Sequence, residues 1–261
     1  MSVVTAAATY LYCAVRSARD PMRGVRGRPP RGLPGAGLPR VLDAGAGLWL
    51  VVATAPLERY SAATIDARLA DLEWVSRCAM AHDAVIEHFA RSHPVIPMKL
   101  FTLFTTDERA VAHVGRTRRK LERLFARVAD REEWGVRLLL DEARALAPGA
   151  APVTAATGTD FLVTKKKVKD ARQQLVADAL HQADTLFETF AGLADDSRRR
   201  TPAVEGPTSR MILDAAFLVR RSAGRQFKKA VSAAARPLAA RGFTLALTGP
   251  WPPYHFVADE A

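Results

Sequence analysis

The chain of 261 residues carries a formal net charge of +11, with 38 Lys and Arg against 27 Asp and Glu, and 49% of it is hydrophobic. That length holds one large domain or two of ordinary size, with ample apolar material for a core. No apolar run reaches the roughly 18–20 residues of a membrane span, and the opening MSVVTAAATYLYCAV lacks a basic leader region, so a cytoplasmic protein is expected.

The first element is a strand over residues 9–16 (TYLYCAVR), where apolar positions alternate. Residues 19–40 (RDPMRGVRGRPPRGLPGAGLPR) are crowded with Arg, Pro and Gly and read as a long exposed loop. Two strands are expected at 41–43 and 47–55, then a helix over 61–91. On that helix Leu72, Val75, Ala79, His82, Ile86 and Phe89 recur at steps of three and four and form an apolar seam. His82 therefore reads as a hydrogen-bonded core histidine. A strand follows over 95–104 (VIPMKLFTLF), with Pro97 marking an edge or a bulge. Thr105 and Glu108 have capping-box spacing for a helix to about 129. Its Val111, Val114, Leu121, Phe125 and Val128 face inward, and Arg116, Arg118, Arg119, Lys120, Arg123 and Arg127 cover the rest. A strand at 134–140 (WGVRLLL) closes this half.

The small-residue stretch 146–157 (LAPGAAPVTAAT) is the expected linker between two domains, 1–145 and 158–261. Thr157 and Asp160 would open a long helix to about 191, with Val168, Leu175, Ala179, Leu186 and Phe190 along one face. Its Lys165, Lys166, Lys167 and Lys169 run is the ordinary signature of a solvated helical face. Residues 195–207 read as polar loop. Alternation at Met211, Leu213, Ala215, Phe217 and Val219 marks a strand over 209–221. A helix over 222–241 turns Phe227, Val231 and Leu238 inward, and Gly242 ends it. With strands and helices intermixed in both halves, the expected class is α+β. Each half is a candidate for a ferredoxin-like arrangement, and the final strand–helix–strand gives two strands of the same direction.

The last run, FTLALTGPWPPYHFV, begins as a strand that Gly249 and Pro250 should stop after Thr248. Pro250, Pro252 and Pro253 fix φ, so the segment from 249 to 254 is expected to be a stiff arm that sets the directions of Trp251, Tyr254 and Phe256. Burying such aromatics is worth about 1.5–3 kcal/mol each. The arm can thus clamp the chain's own body, or grip a partner.

Catalytic constellations are missing from the sequence. The six histidines form no HxxxH or HExxH pair, and there is no GxSxG, no phosphate-binding GxxxxGK[ST] and no GxGxxG after a strand. Cys13 and Cys78 lie far apart and read as packed thiols. The acidic pairs at 132–133 and 195–196 fall at element ends and read as solvated. No catalytic residue, cofactor or metal is expected. The positive field favours acidic partners, and the alternative to a protein-binding role is a basic nucleic-acid-binding module.

Several blocks are similar to the gas vesicle protein GvpL/GvpF family. TYLYCAV resembles its YLYG-type opening. Trp74, His82 and Pro94-Val95-Ile96-Pro97 leading into Met98–Phe104 resemble its central block, and EWGV at 133–136 its ELGV/EWGV strand. GTDFL at 158–162, AAFLV at 215–219 and TGPWPPYHFV at 248–257 resemble its remaining blocks. One departure stands out: many members read PLRFGT where this chain reads PMKLFT, placing Phe101 where glycine is common. The resemblance implies a non-enzymatic protein needed to build gas vesicles, acting in assembly or nucleation or as a minor shell component. Its implied partners are the major shell protein and other accessory proteins, and its implied location is the cytoplasm or the vesicle. The contact residues expected on this reading are Trp251, Tyr254 and Phe256 of the arm and the cations Arg116, Arg118, Arg119, Arg123, Lys165, Lys166 and Lys167.

Overall fold

The computed structural model describes residues 6–23, 27–146, 158–201 and 209–257. The chain divides into two compact units. The first combines Met1–Asp130 with Trp251–Ala261, and the second is Arg131–Pro250. The division falls ahead of the expected junction at 146–157, which apart from Leu146 lies outside the described residues. The reason is the strand at 131–141. It was expected to close the first half, but it is a central strand of the second sheet.

In the first unit, β1 (Ala7–Arg16), β2 (Arg40–Asp43), β3 (Leu48–Pro56) and β4 (Val95–Pro97) form an antiparallel sheet in the order β2-β3-β1-β4. β5 (Leu103–Phe104) also pairs with β1. The expected single strand over 95–104 is therefore two short ones. Between them the chain bulges, and Phe101 takes a left-handed φ of 65°. The helix expected over 61–91 is α1 (Leu57–Tyr60), α2 (Ala62–Arg68) and α3 (Leu72–Ala90). The side chain of Asp71 caps α3 by accepting from the Trp74 N–H at 3.0 Å.

Helix α3 packs on one face of this sheet, through Trp74, Cys78, Val85, Ile86 and Phe89 against Tyr10, Tyr12, Val51 and Ala53. Leu72, expected on the seam, is 77% exposed because the buried stripe is rotated toward Trp74 and Cys78. The other face is covered by α4 (Asp107–Arg116) and α5 (Arg118–Val128), through Val114, Leu121, Leu124 and Phe125 against Leu11, Leu50 and Val52. Thr106, not Thr105, caps α4. Thr117 divides α4 from α5 and accepts no capping bond from α5.

The expected exposed loop at 19–40 is in part core. Pro21 and Leu33 are buried, and the Leu33 N–H donates to the Tyr12 hydroxyl at 3.0 Å. The segment stands where a first crossover helix would lie between β1 and β2, and supplies apolar cover in its place.

In the second unit, β6 (Arg131–Asp141), α7 (Gly158–Ala191), β7 (Asp196–Arg199), β8 (Ser209–Arg220), α8 (Gly224–Ala239) and β9 (Phe243–Trp251) follow one another, with the single turn α6 (Glu142–Leu146) after β6. The sheet order is β7-β8-β6-β9. β8 is antiparallel to both β6 and β7. β9 is antiparallel to β6: the Asp141 N–H donates to the Gly242 carbonyl at 2.9 Å, and six residues on, Gly135 lies beside Thr248. β8 and β9 thus share a direction, with β6 between them. A β-α-β-β-α-β chain in this order is the ferredoxin-like arrangement. The expected loop at 195–207 contains β7, which is charged and short, so alternation could not announce it.

Both helices lie on one sheet face. Ala179, Ala183, Leu186 and Phe190 of α7 and Phe227, Val231 and Leu238 of α8 meet Val136, Leu138, Phe217 and Phe243. β8 is buried on both faces, Ile212, Asp214, Ala216 and Leu218 included. β9 runs on through Gly249 and Pro250 to Trp251, past the expected stop after Thr248, as the strand that ends its sheet, the position in a sheet where proline is best tolerated.

Candidate interaction surfaces

The C-terminal tail is committed to the first unit. After Trp251, Pro252 and Pro253 are buried, and the single turn α9 (Tyr254–Val257) packs beside β4. Phe256 and Val257 are 1% and 2% exposed. Tyr254 joins the α3 side of the sheet while Val257 joins the α4–α5 side, so the turn straddles the β4 edge. The Tyr254 hydroxyl donates to Asp83 Oδ1 at 2.8 Å. Burial, with the Asp83 carboxylate beside it, pushes the phenol far above its ordinary value. Of the three arm aromatics, Trp251 alone is exposed, at 41%. Tyr254 and Phe256 are structural.

The polar centre of the first unit is a closed network. His82 Nε2 lies 3.1 Å from the Met98 carbonyl, which can only accept, so this nitrogen carries the proton. Nδ1 then accepts from the Tyr10 hydroxyl at 2.7 Å, and that hydroxyl accepts from the Phe101 N–H at 3.2 Å. The imidazole is neutral. Burial holds its pKa below the ordinary range, and burial lifts Tyr10 well above its own. Tyr12 is pushed up to about 12 by the same cause. Raised phenols and a saturated imidazole form a fastening rather than a nucleophile with a base. Phe101 ties in through its ring, which stacks on Trp74 with centroids 5.2 Å apart and planes at 11°. Both cysteines are free and buried. Among the described residues no cluster of His, Cys, Asp and Glu could hold a metal ion, and no helix is long and apolar enough to cross a membrane.

The expected cations separate into two kinds. Arg118 is half-buried and donates to the carbonyls of Ala44 and Gly45, fastening the β2–β3 turn. Arg116, Arg119 and Arg123 are exposed on α4 and α5. Lys165, Lys166 and Lys167 are exposed too, in a part of α7 where every residue from 165 to 174 is exposed. Val168, expected on the apolar face, is 59% exposed, and burial begins only at Leu175 and Ala179.

Three polar fastenings had no sequence signal. Asp107 accepts from Arg40 through two bonds of 2.8 Å and from the Thr9 hydroxyl at 2.7 Å, and the Arg40 guanidinium holds its carboxyl below the ordinary range. Asp195, expected to be merely solvated, accepts from Arg220 at 3.0 Å and Arg131 at 2.6 Å, and its pKa is lowered by Arg220 first. Asp214, 7% exposed within β8, is held by Arg200 and Arg137. The expected solvated Glu133 is also buried, at 3% exposed. Asp107, Asp195 and Asp214 each join residues from separate elements.

The family model for gas vesicle synthesis protein GvpL/GvpF matches residues 8–258. The chain belongs to the GvpL/GvpF family. A gas vesicle protein L from Streptomyces sp. (strain CB03234) is 32% identical over 264 residues, covering 96% of this chain and 94% of that protein. The crystal structure of the gas vesicle protein GvpF from Anabaena sp. PCC7120 is similar with a TM-score of 0.68 at 19% identity, covering 96% of this chain and 95% of that one. GvpF from Microcystis aeruginosa is similar with a TM-score of 0.61 at 15% identity, over 95% and 98% of the two chains. These likenesses carry the fold. Membership of the GvpL/GvpF family carries a role in gas vesicle formation, and this is not a known enzyme family.

The glycine of PLRFGT in other GvpL/GvpF members has a physical reading here. Position 101 has positive φ, which costs an L residue about 1–2 kcal/mol. This chain offsets that cost by stacking the Phe101 ring on Trp74.

Proposed function

We propose that this chain is a cytoplasmic accessory protein of gas vesicle formation that works by holding other vesicle proteins, and that it transforms no small molecule. Its partners on this reading are the major shell protein and other accessory proteins, and its task is assembly, nucleation or a minor place in the shell. A shell that excludes water needs an apolar inner surface, so its subunits are prone to aggregate before assembly and need to be held.

The observation that carries this reading is the unused cationic surface. Arg119 and Arg123 stand exposed one turn apart on α5, Arg116 is exposed at the end of α4, and Lys165, Lys166 and Lys167 are exposed on the part of α7 that the second unit's core does not use. Lys165 and Lys169 stand one helical turn apart as like charges, which costs the helix a few tenths of a kcal/mol. An acidic partner segment would relieve that repulsion. Trp251 adds an exposed aromatic anchor. The test is capture of vesicle proteins by the purified chain over a salt series. Charge reversal at Arg119 and Arg123 should weaken capture at low salt while leaving the fold intact. Unchanged capture at low salt would refute the cationic surface.

A further inference from the structure

The sheet edges of this molecule are not treated alike. β2, an edge of the first sheet, carries Arg40 and Asp43, and β7, an edge of the second, reads Asp196-Ser197-Arg198-Arg199. The β4 edge is short, holds Pro97 and is straddled by α9. Charge, proline and cover are the usual ways in which an edge is kept from pairing with another chain. Among the described residues, β9 has none of them over its first six, Phe243-Thr244-Leu245-Ala246-Leu247-Thr248. It ends its sheet, and no further strand pairs with it among the described residues.

The register with β6 fixes which backbone groups face outward. Asp141 bonds to Gly242, so in an antiparallel ladder Thr244, Ala246 and Thr248 turn their N–H and C=O groups toward β6. Those of Phe243, Leu245 and Leu247 point away from the sheet. The side chains alternate too. Phe243, Leu245 and Leu247 join the core face, while Thr244 and Thr248 are exposed on the other, with Ala246 half-buried between them.

From this pattern we propose that β9 is a self-association edge, which pairs antiparallel with β9 of a second copy about a two-fold axis at Ala246. The strand is self-complementary in that register. Leu245 meets Leu247 of the second copy, both with outward N–H and C=O groups, so each such pair closes two ladder bonds. Thr244 meets Thr248 of the second copy, a favourable cross-strand pair, and the apolar faces of both cores continue across the junction. No charge on either strand opposes the pairing. The nearest cation, Arg137 beside Ala246 on β6, is already 3.6 Å from Asp214. Each copy carries +11, but that repulsion is screened over about 8–10 Å at physiological salt. Self-association therefore strengthens as salt rises, opposite to capture of an acidic partner.

Sedimentation velocity on the purified full chain, over a concentration series at low and moderate salt, tests this. The expected result is a monomer–dimer equilibrium that shifts toward dimer with salt. Ala246→Lys brings two like charges face to face at the axis and should weaken dimerisation by tenfold or more. Ala246→Glu alone should do likewise, and an equimolar mixture of the two variants should restore a dimer. Thr244→Lys, at an exposed position, is a second probe should Ala246→Lys fold poorly. It should weaken the dimer and be rescued by Thr248→Glu supplied on another copy. A wild-type chain that stays monomeric throughout, or a dimer that these charges leave unchanged, would overturn the proposal.

Discussion

Two sheets with one strand order meet the same structural needs by different means. In the second unit the first crossover is the 34-residue helix α7. In the first unit the segment between β1 and β2 takes its place, anchored by Pro21 and Leu33. The edges differ in the same way. The first sheet has its β4 edge straddled by the chain's own last turn, whereas the second ends on β9, with which no further strand pairs among the described residues. The comparison separates what holds the fold from what is left for partners. Where chain is spent as cover, aromatics such as Phe256 are buried. Where helix or strand outruns the core, as in residues 165–174 and in β9, surface remains unassigned by folding.

The largest effect should come from removing that cover. Truncation after Trp251 deletes the buried Phe256 and Val257 and the Tyr254–Asp83 bond, a loss of about 4 kcal/mol or more. Hydrogen exchange should then rise through β4 and β5 while β8 keeps its protection. Equal loss in both would mean that the tail does not act through the first unit.

Gly242→Ala comes next. Its φ of 81° and a would-be Cβ 2.8 Å from the Ala145 backbone N leave no room, so a loss of about 2–4 kcal/mol is expected in urea unfolding. Gly135→Ala sets a methyl 2.5 Å from Thr248 Oγ1 and should cost less, because a side chain can yield where a backbone cannot.

At Phe101 the test is an order of stabilities. Phe101→Ala loses the stack on Trp74 and keeps the left-handed strain, whereas Phe101→Gly loses the stack and sheds the strain. The glycine variant should be the more stable of the two by about 1 kcal/mol. The reverse order would contradict the reading of this position.

The smallest effect is on pH. Burial lowers the pKa of His82 and of His88, so the folded chain keeps both neutral while the unfolded chain protonates them near pH 6.5. Stability is therefore complete above that value and falls as pH drops through it toward the folded pKa values, with a slope of at most about 1.4 kcal/mol per pH unit for each histidine. Asp107 and Asp195, whose pKa values are lowered by their arginines, contribute stability above their ordinary value of 3.8 that is lost in more acid solution. His82→Asn should reduce the upper step to the share of His88 and leave the lower one.

What was legible in the sequence is what repeats locally. The strands at β1, β3, β6 and β8, helix α8 and the buried role of His82 follow from apolar period and from Gly242. The arm's self-clasp was one of two open uses, and the structure takes it for Tyr254 and Phe256. What was hidden depends on distant partners. The charged β7 shows no alternation, Arg118 looks like its neighbours until the β2–β3 turn lies beside it, and Val168 continues an apolar stripe into the exposed part of α7. The assignment of β6 to the second unit was illegible for the same reason, since its neighbours β8 and β9 begin about 80 and 110 residues downstream of its own start.

The central claim is that folded, cationic surface outside the two cores is what vesicle formation requires of this chain. Complementation measures it directly. A host lacking its own copy receives the chain with Arg116, Arg119, Arg123, Lys165, Lys166 and Lys167 all changed to Glu, and vesicles are scored by electron microscopy beside the variant's melting curve. A variant that is folded and soluble and yields no vesicles is the predicted result. Normal vesicles from that same variant would contradict it.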